Sequence, residues 1–165
     1  MNLGYFKANN KNITVSRFQS SGEIAGAIVK AVKESKASAE KLAPYFKNRS
    51  KYESCKLIFL FTKSVLPYVK EPASIQTAKT INRILQDAKT KGGDCKHFST
   101  ISSALCIALN IPCCLRLISQ SYDTKQPNHI YCVAFVNGKE VILDSVLKNF
   151  DTEARYNYKY DIKLN

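Results

Sequence analysis

Three residues in the second half of this 165-residue chain have the side chains of a thiol nucleophile, its base and an orienting acid: Cys95, His129 and Asp144. Cys95 follows Gly92-Gly93-Asp94. The glycine pair makes a flexible turn and Asp94 is a good N-cap residue, so Cys95 is expected in the first turn of a helix. There the helix dipole and free backbone N–H groups favour a thiolate, and the same N–H groups help to hold an oxyanion formed beside the sulfur. A thiolate, an imidazole base and a third group that orients the base together carry covalent acyl transfer. Singly, each residue has a plainer role: a small core cysteine, a strand-end histidine, a strand-terminating aspartate. The chemistry depends on whether the chain brings the three together.

A hairpin supplies a geometric test. Asn137-Gly138 is a strong two-residue turn signal between the β-like stretches His129–Val136 and Lys139–Asp144. With those two residues in the turn, Val136 pairs with Lys139, Tyr131 opposes Asp144 and His129 opposes Val146. Alternate residues share a face, so His129, Tyr131 and Asp144 project from one side of the sheet. His129 and Asp144 become diagonal neighbours, roughly 7–8 Å apart at the backbone, a gap their side chains can bridge. The other face reads Ile130, Cys132, Ala134, Val136, Val141 and Leu143 and is expected to be core.

His97 is the only other histidine. Two residues beyond Cys95 on a helix, it points about 200° away around the axis, so it is expected to be a solvent-facing or packing residue rather than the base. Zinc is the competing use of these side chains. Cys95, His97, Cys113, Cys114, His129 and Cys132 offer no pair with knuckle spacing, and His129 and Cys132 fall on opposite faces of a strand. No metal or cofactor is expected.

The stretch Gly93-Asp94-Cys95-Lys96-His97-Phe98-Ser99, followed by Leu105 and Asn110-Ile111-Pro112, resembles the transglutaminase-like branch of the papain-like cysteine enzymes. Members of that family carry Gly-Asp-Cys, a helix and a Gly-Ile-Pro-like exit. Asn128-His129-Ile130-Tyr131 is similar to the family's His-bearing strand, and Val141-Ile142-Leu143-Asp144 to its Asp-bearing strand. The resemblance covers residues 76–150, close to half the chain, with the blocks in the family's order. Two departures stand out: His97 replaces a frequent acidic residue, and Leu143 and Ser145 replace the aromatic residue and proline often found around the Asp. The resemblance implies Cys95 as nucleophile, His129 as base and Asp144 as orienter, in acyl transfer through a thioester. Water as acceptor makes a peptidase or amidase, and a primary amine makes a transglutaminase; hydrolysis of a protein or peptide substrate is the expectation. Gln76 and Gln86 are the candidate oxyanion donors. The alternative is a non-enzymatic module of the same fold, acting as a structural or anion-binding protein.

The elements that must position these residues follow from periodicity and breakers. The expected fold is α+β, papain-like or transglutaminase-like: a Cys-bearing helix packed on an antiparallel sheet of at least three strands, preceded by a helical section. Residues 1–75 form that basic, mainly helical section packed on the core, and residues 76–165 form the catalytic core with its tail. A β-like stretch spans Ile13–Phe18, and Ser20 or Ser21 caps a first helix carrying Ile24, Ala27, Ile28, Ala31 and Val32. A second helix begins near Ser38 and is disturbed by Pro44. A third spans Lys51–Val65 and stops at Pro67. A fourth is expected after Pro72, with Ile75, Ala78, Ile81, Leu85 and Ala88 as its buried stripe. The Cys-bearing helix ends at Asn110, Cys113–Ser119 is a strand, and the tail from Lys148 is expected to lie across the surface.

Charge is uneven: residues 1–91 hold 17 basic against 6 acidic residues, and residues 92–165 hold 8 against 7. The basic half could face an anionic partner, or simply present solvated helix faces. Six cysteines without framework spacing suit reduced thiols in a reducing compartment. The polar N-terminus lacks an apolar signal region, and the longest apolar run, Leu57–Phe61, is far short of the ~20 residues a membrane span needs. A cytoplasmic protein without a membrane span is the expectation; the sequence does not set the oligomeric state.

Overall fold

The computed structural model describes residues 10–15, 21–72, 74–122 and 125–164. In chain order the elements are β1 (Asn12–Val15), α1 (Ser21–Glu34), α2 (Lys36–Leu42), a 3-10 turn (Ala43–Tyr45), α3 (Lys51–Val65), β2 (Gln76–Lys79), α4 (Ile81–Lys91), α5 (Cys95–Ala108), β3 (Cys113–Ser119), β4 (His129–Val136), β5 (Lys139–Leu143) and β6 (Tyr158–Lys163). The fold is α+β, as expected. Residues 16–18 of the expected first strand and Ser20 lie outside the described residues.

Local chemistry explains the boundaries. Ser50 caps α3, its hydroxyl accepting the Glu53 N–H at 3.1 Å, and the helix stops short of Pro67. Pro44 tightens the end of α2 into the 3-10 turn. At Asn137-Gly138 both residues have positive φ, 51° and 75°, which a two-residue turn of this hand requires. The register then runs from Val136↔Lys139 to Cys132↔Leu143, as the turn dictates.

Two expectations are corrected. Residues 75–79 do not begin the fourth helix: Gln76–Lys79 pair antiparallel with Asn12–Val15, Ile75 is 57% exposed, and α4 starts at Ile81. The extended stretch satisfies its backbone across the chain, and the Glu71 carboxylate accepts the Thr77 N–H at 2.7 Å. These long-range partners outweigh a helical spacing of Ile75 and Ala78. The tail, likewise, is not merely draped on the surface. Tyr158–Lys163 pairs with β3, so the main sheet has the order β5-β4-β3-β6, antiparallel throughout. Arg116, buried on β3, accounts for this. Its guanidinium donates to Asp161 on β6, Glu140 on β5 and Glu153 in the tail at 2.7–2.8 Å. A buried cation needs such partners.

One apolar cluster joins the helices to the inner face of the sheet, running from Ala25 to Leu143 and including Ile130, Cys132, Ala134, Val136 and Val141. Helix α5 is the hub, buried from Lys96 to Cys106 and packed against α1, α2, α3 and β4. On the outer face a smaller cluster, Cys114, Ile118, Tyr131, Val133 and Ile142, is covered by Ala154 and Tyr156. No helix among the described residues is long and apolar enough to cross a membrane.

Candidate active site

Cys95 opens α5, one residue after the N-cap. Asp94 caps the helix by accepting the Lys96 N–H at 3.3 Å, and His97 Nδ1 accepts the Asp94 N–H at 3.1 Å, a reciprocal box. His97 is therefore a packing residue, 1% exposed, and not solvent-facing. Burial pushes the Asp94 carboxyl up, but the adjoining His97 ring and the charge and hydrogen bond of Lys96 win and hold it at about 2. Lys96, itself buried, is paired with Asp94, lies 2.7 Å from Gln76 Oε1 and 3.6 Å from Glu71. This ionic cradle fixes the helix start from beneath and leaves the Cys95 side chain on the open side.

His129 is the first residue of β4, and Asp144 follows the last residue of β5. His129 Nε2 lies 2.7 Å from Asp144 Oδ2. Asp144 is 2% exposed, and its other oxygen accepts the Val146 N–H at 3.3 Å. Its loop is tied to α3: Lys63 Nζ donates to the carbonyls of Ser145 and Leu147 at 3.3 and 2.6 Å, and Ser145 Oγ donates to the Phe59 carbonyl. Burial opposes the charged imidazole, yet hydrogen bonds to Asp144 and to Cys95 outweigh it, raising His129 to about 9. With Nε2 held by Asp144, Nδ1 is the nitrogen left for the sulfur.

The meeting of Cys95 and His129 has a geometric condition. Helix α5 packs on the inner face of the sheet, whereas His129 shares the outer face with Tyr131 and with Ile118, its partner on β3. Both side chains reach the same cleft because each is the first residue of its element. Ser99, one turn into α5, shares its hydroxyl proton between the Cys95 carbonyl at 2.5 Å and the Ile130 carbonyl at 3.0 Å, which brings the start of α5 against the start of β4.

Cys95, His129, Asp94, Lys96 and Gln76 line a cleft of about 600 Å³. Its other walls are Tyr68 and Lys70 from the segment after α3, Ile24 and Ile28 from α1, and Val146, Leu147 and Ala154 from the C-terminal part. The volume suits a side chain and its flanking backbone. Of the two glutamines, Gln76 lines the cleft with its amide already engaged: Nε2 donates to the Pro72 carbonyl at 2.9 Å and Oε1 accepts from Lys96. Gln86 does not line the cleft, and its carbonyl accepts from Asn10. Sequence reasoning missed Tyr68 and the cradle of Glu71 and Lys96. The one usable signal was Gly92-Gly93, which marks a close backbone approach without saying what approaches.

No family model matches the chain, and no curated protein matches it. Two solved structures share its fold. A candidate cysteine protease from Cytophaga hutchinsonii superposes with a TM-score of 0.51 at 18% identity, over 80% of this chain and 48% of that one. A candidate protease from Parabacteroides distasonis gives 0.60 at 16% identity, over 89% of this chain and 30% of that one. The chain thus spans about half of the first and under a third of the second.

Proposed function

We propose that this chain is a cysteine-dependent acyl-transfer enzyme of papain-like, transglutaminase-like type, hydrolysing an amide or peptide bond with Cys95, His129 and Asp144. The observation that supports this reading is the 2.7 Å His129–Asp144 contact, with Cys95 and His129 lining the same open cleft. The two fold neighbours, described as protease candidates, support the same class.

The Cys95 thiolate attacks the carbonyl carbon, forming the C–S bond and a tetrahedral oxyanion. As that intermediate collapses the C–N bond breaks, and His129 gives its proton to the leaving amine. Water then adds to the thioester carbonyl while His129 takes its proton. Expulsion of the thiolate releases the acid. Asp144 keeps the imidazole oriented and favours its charged form. A primary amine in place of water gives transamidation; the solvent-open cleft favours water. A reducing, cytoplasmic setting suits six free thiols. A protein or peptide is the substrate class, and the basic N-terminal half is the surface for any anionic partner.

Iodoacetamide labelling across pH, read by peptide mapping, tests the nucleophile. Cys95 should react at least ~10-fold faster than buried Cys106 and Cys132 near neutral pH. Equal rates would sink the activated-thiolate reading. Salt-dependent nucleic-acid binding that survives Cys95→Ala would favour the non-enzymatic alternative.

A further inference from the structure

Acylation through Cys95 creates an oxyanion beside the first turn of α5, and a donor aimed at that oxygen adds to what the helix N–H groups supply. The Gln76 amide is tethered on both atoms, one N–H to the Pro72 carbonyl and its oxygen to Lys96, and Gln86 lies off the cleft. Several donors in the cleft wall are unengaged among the described residues, Lys70 and the phenol of Tyr68 included, and of these Tyr68 is bridged through its backbone to Gly93, two residues before Cys95. We propose that Tyr68 is a catalytic residue whose O–H donates to the oxyanion formed when Cys95 attacks a carbonyl; this rests on Cys95 being the nucleophile.

Backbone geometry fixes Tyr68 against the nucleophile. Val69 N–H donates to the Gly93 carbonyl at 2.9 Å, and Gly93 N–H donates to the Pro67 carbonyl at 3.0 Å. Tyr68 sits between these two bonds, bridged to the residue two before Cys95. Gly92 and Gly93 permit this approach: a Cβ on Gly92 would lie 2.6 Å from both the Pro67 oxygen and Val69 Cγ2, and one on Gly93 would lie 3.0 Å from Leu66 Cδ2. The tyrosine ring packs 6.2 Å from that of Phe98, one turn beyond Cys95 on α5. At 51% exposure the ring keeps half its surface open while it lines the cleft. Burial, then the negative charges of Cys95, Asp94 and Asp144, push the phenol up, so it remains a proton-bearing donor across the working range.

In the step itself the sulfur lone pair forms the C–S bond as the carbonyl π pair moves onto oxygen. Tyr68 holds that oxygen by hydrogen bond without giving up its proton. Collapse restores the C=O bond and expels the leaving group.

p-Nitrophenyl acetate provides the test, because each acylation of Cys95 releases one p-nitrophenolate, followed by stopped-flow absorbance. Iodoacetamide alkylation, a displacement that forms no oxyanion, is measured in parallel. Tyr68→Phe, which keeps the ring, should slow the burst by about 10²-fold and leave the alkylation rate unchanged. An unchanged burst overturns the proposal. So does an equal slowing of both reactions, since Tyr68 would then only shape the helix start. If the wild-type protein gives no burst that Cys95→Ala abolishes, the acyl-transfer reading fails and the Tyr68 role with it, a result distinct from either of the others.

Discussion

His129 keeps its proton through neutrality because two acidic partners outweigh burial. The carboxylate of Asp144 and the sulfur of Cys95 flank the ring, and its midpoint rises from 6.5 to about 9. With only two histidines in the chain, an NMR titration assigns this directly. One imidazole should titrate near pH 9, and Asp144→Asn should bring that midpoint down sharply, because the opposing push of burial then acts with less resistance. An unmoved midpoint in Asp144→Asn would show that the carboxylate does not set the charge. The same variant should lower acyl transfer by 10²-fold or more, as loss of the orienting acid does in other triads. At this scale the sequence was informative. Residue type, the Asp94 cap and the hairpin register singled out the three candidate side chains, while His97 was not recognised as half of a capping box. Its reciprocal bond depends on ring orientation, which spacing does not encode.

Helix α5 and the turn before it show what holds the candidate nucleophile at a helix start. Gly92 has φ 62° and Gly138 has φ 75°, so any substitution at either position meets the left-handed backbone cost. Their surroundings differ: nothing lies within 4 Å of a Cβ on Gly138, whereas one on Gly92 would strike the Pro67 carbonyl and Val69 at 2.6 Å. Gly138→Ala should cost about 1–2 kcal/mol, the backbone penalty alone. Gly92→Ala should cost clearly more, in chemical denaturation with the m-value held. Equal losses would mean that segment 67–69 gives way easily. The expected elements were largely present, because apolar period, caps and prolines act locally: α3 spans Lys51–Val65 as expected. The failures were β2 and β6, both of them strands whose partners lie far away in sequence. Local pattern carries no record of such a partner.

Across the whole molecule, charge linked to folding is distributed on both sides of neutrality. Asp94 falls from 3.8 to about 2 on folding, so its contribution is present above pH 3.8 and is lost as pH falls toward 2. His129 rises from 6.5 to about 9, so its contribution is complete below pH 6.5 and is lost as pH rises through 9. From these two groups, stability should be greatest between roughly pH 4 and 6.5. Thermal melts across pH should show His129→Gln flattening the alkaline limb and Asp94→Asn the acidic one. An alkaline limb unchanged in His129→Gln would assign it elsewhere. The larger apolar cluster, from Ala25 to Leu143, means that helices from the basic half support the wall behind Cys95.

The sequence by itself determined the α+β class, the helix start at Cys95 and the shared face of His129, Tyr131 and Asp144. Each of these follows from short-range rules: a cap, a two-residue turn and the alternation of strand side chains. Only the tertiary structure decided how the sulfur reaches the imidazole. Cys95 is on the helix against the inner face of the sheet and His129 on the outer face, and they line one cleft because both stand at the starts of their elements, with the Ser99 hydroxyl between the Cys95 and Ile130 carbonyls. It also decided what surrounds them: the cradle of Glu71 and Lys96, the carbonyl ties of Lys63, and Tyr68 clamped on Gly93. These contacts join segments separated by 20 residues or more. They depend on how elements pack, a property of the whole chain that no local pattern records.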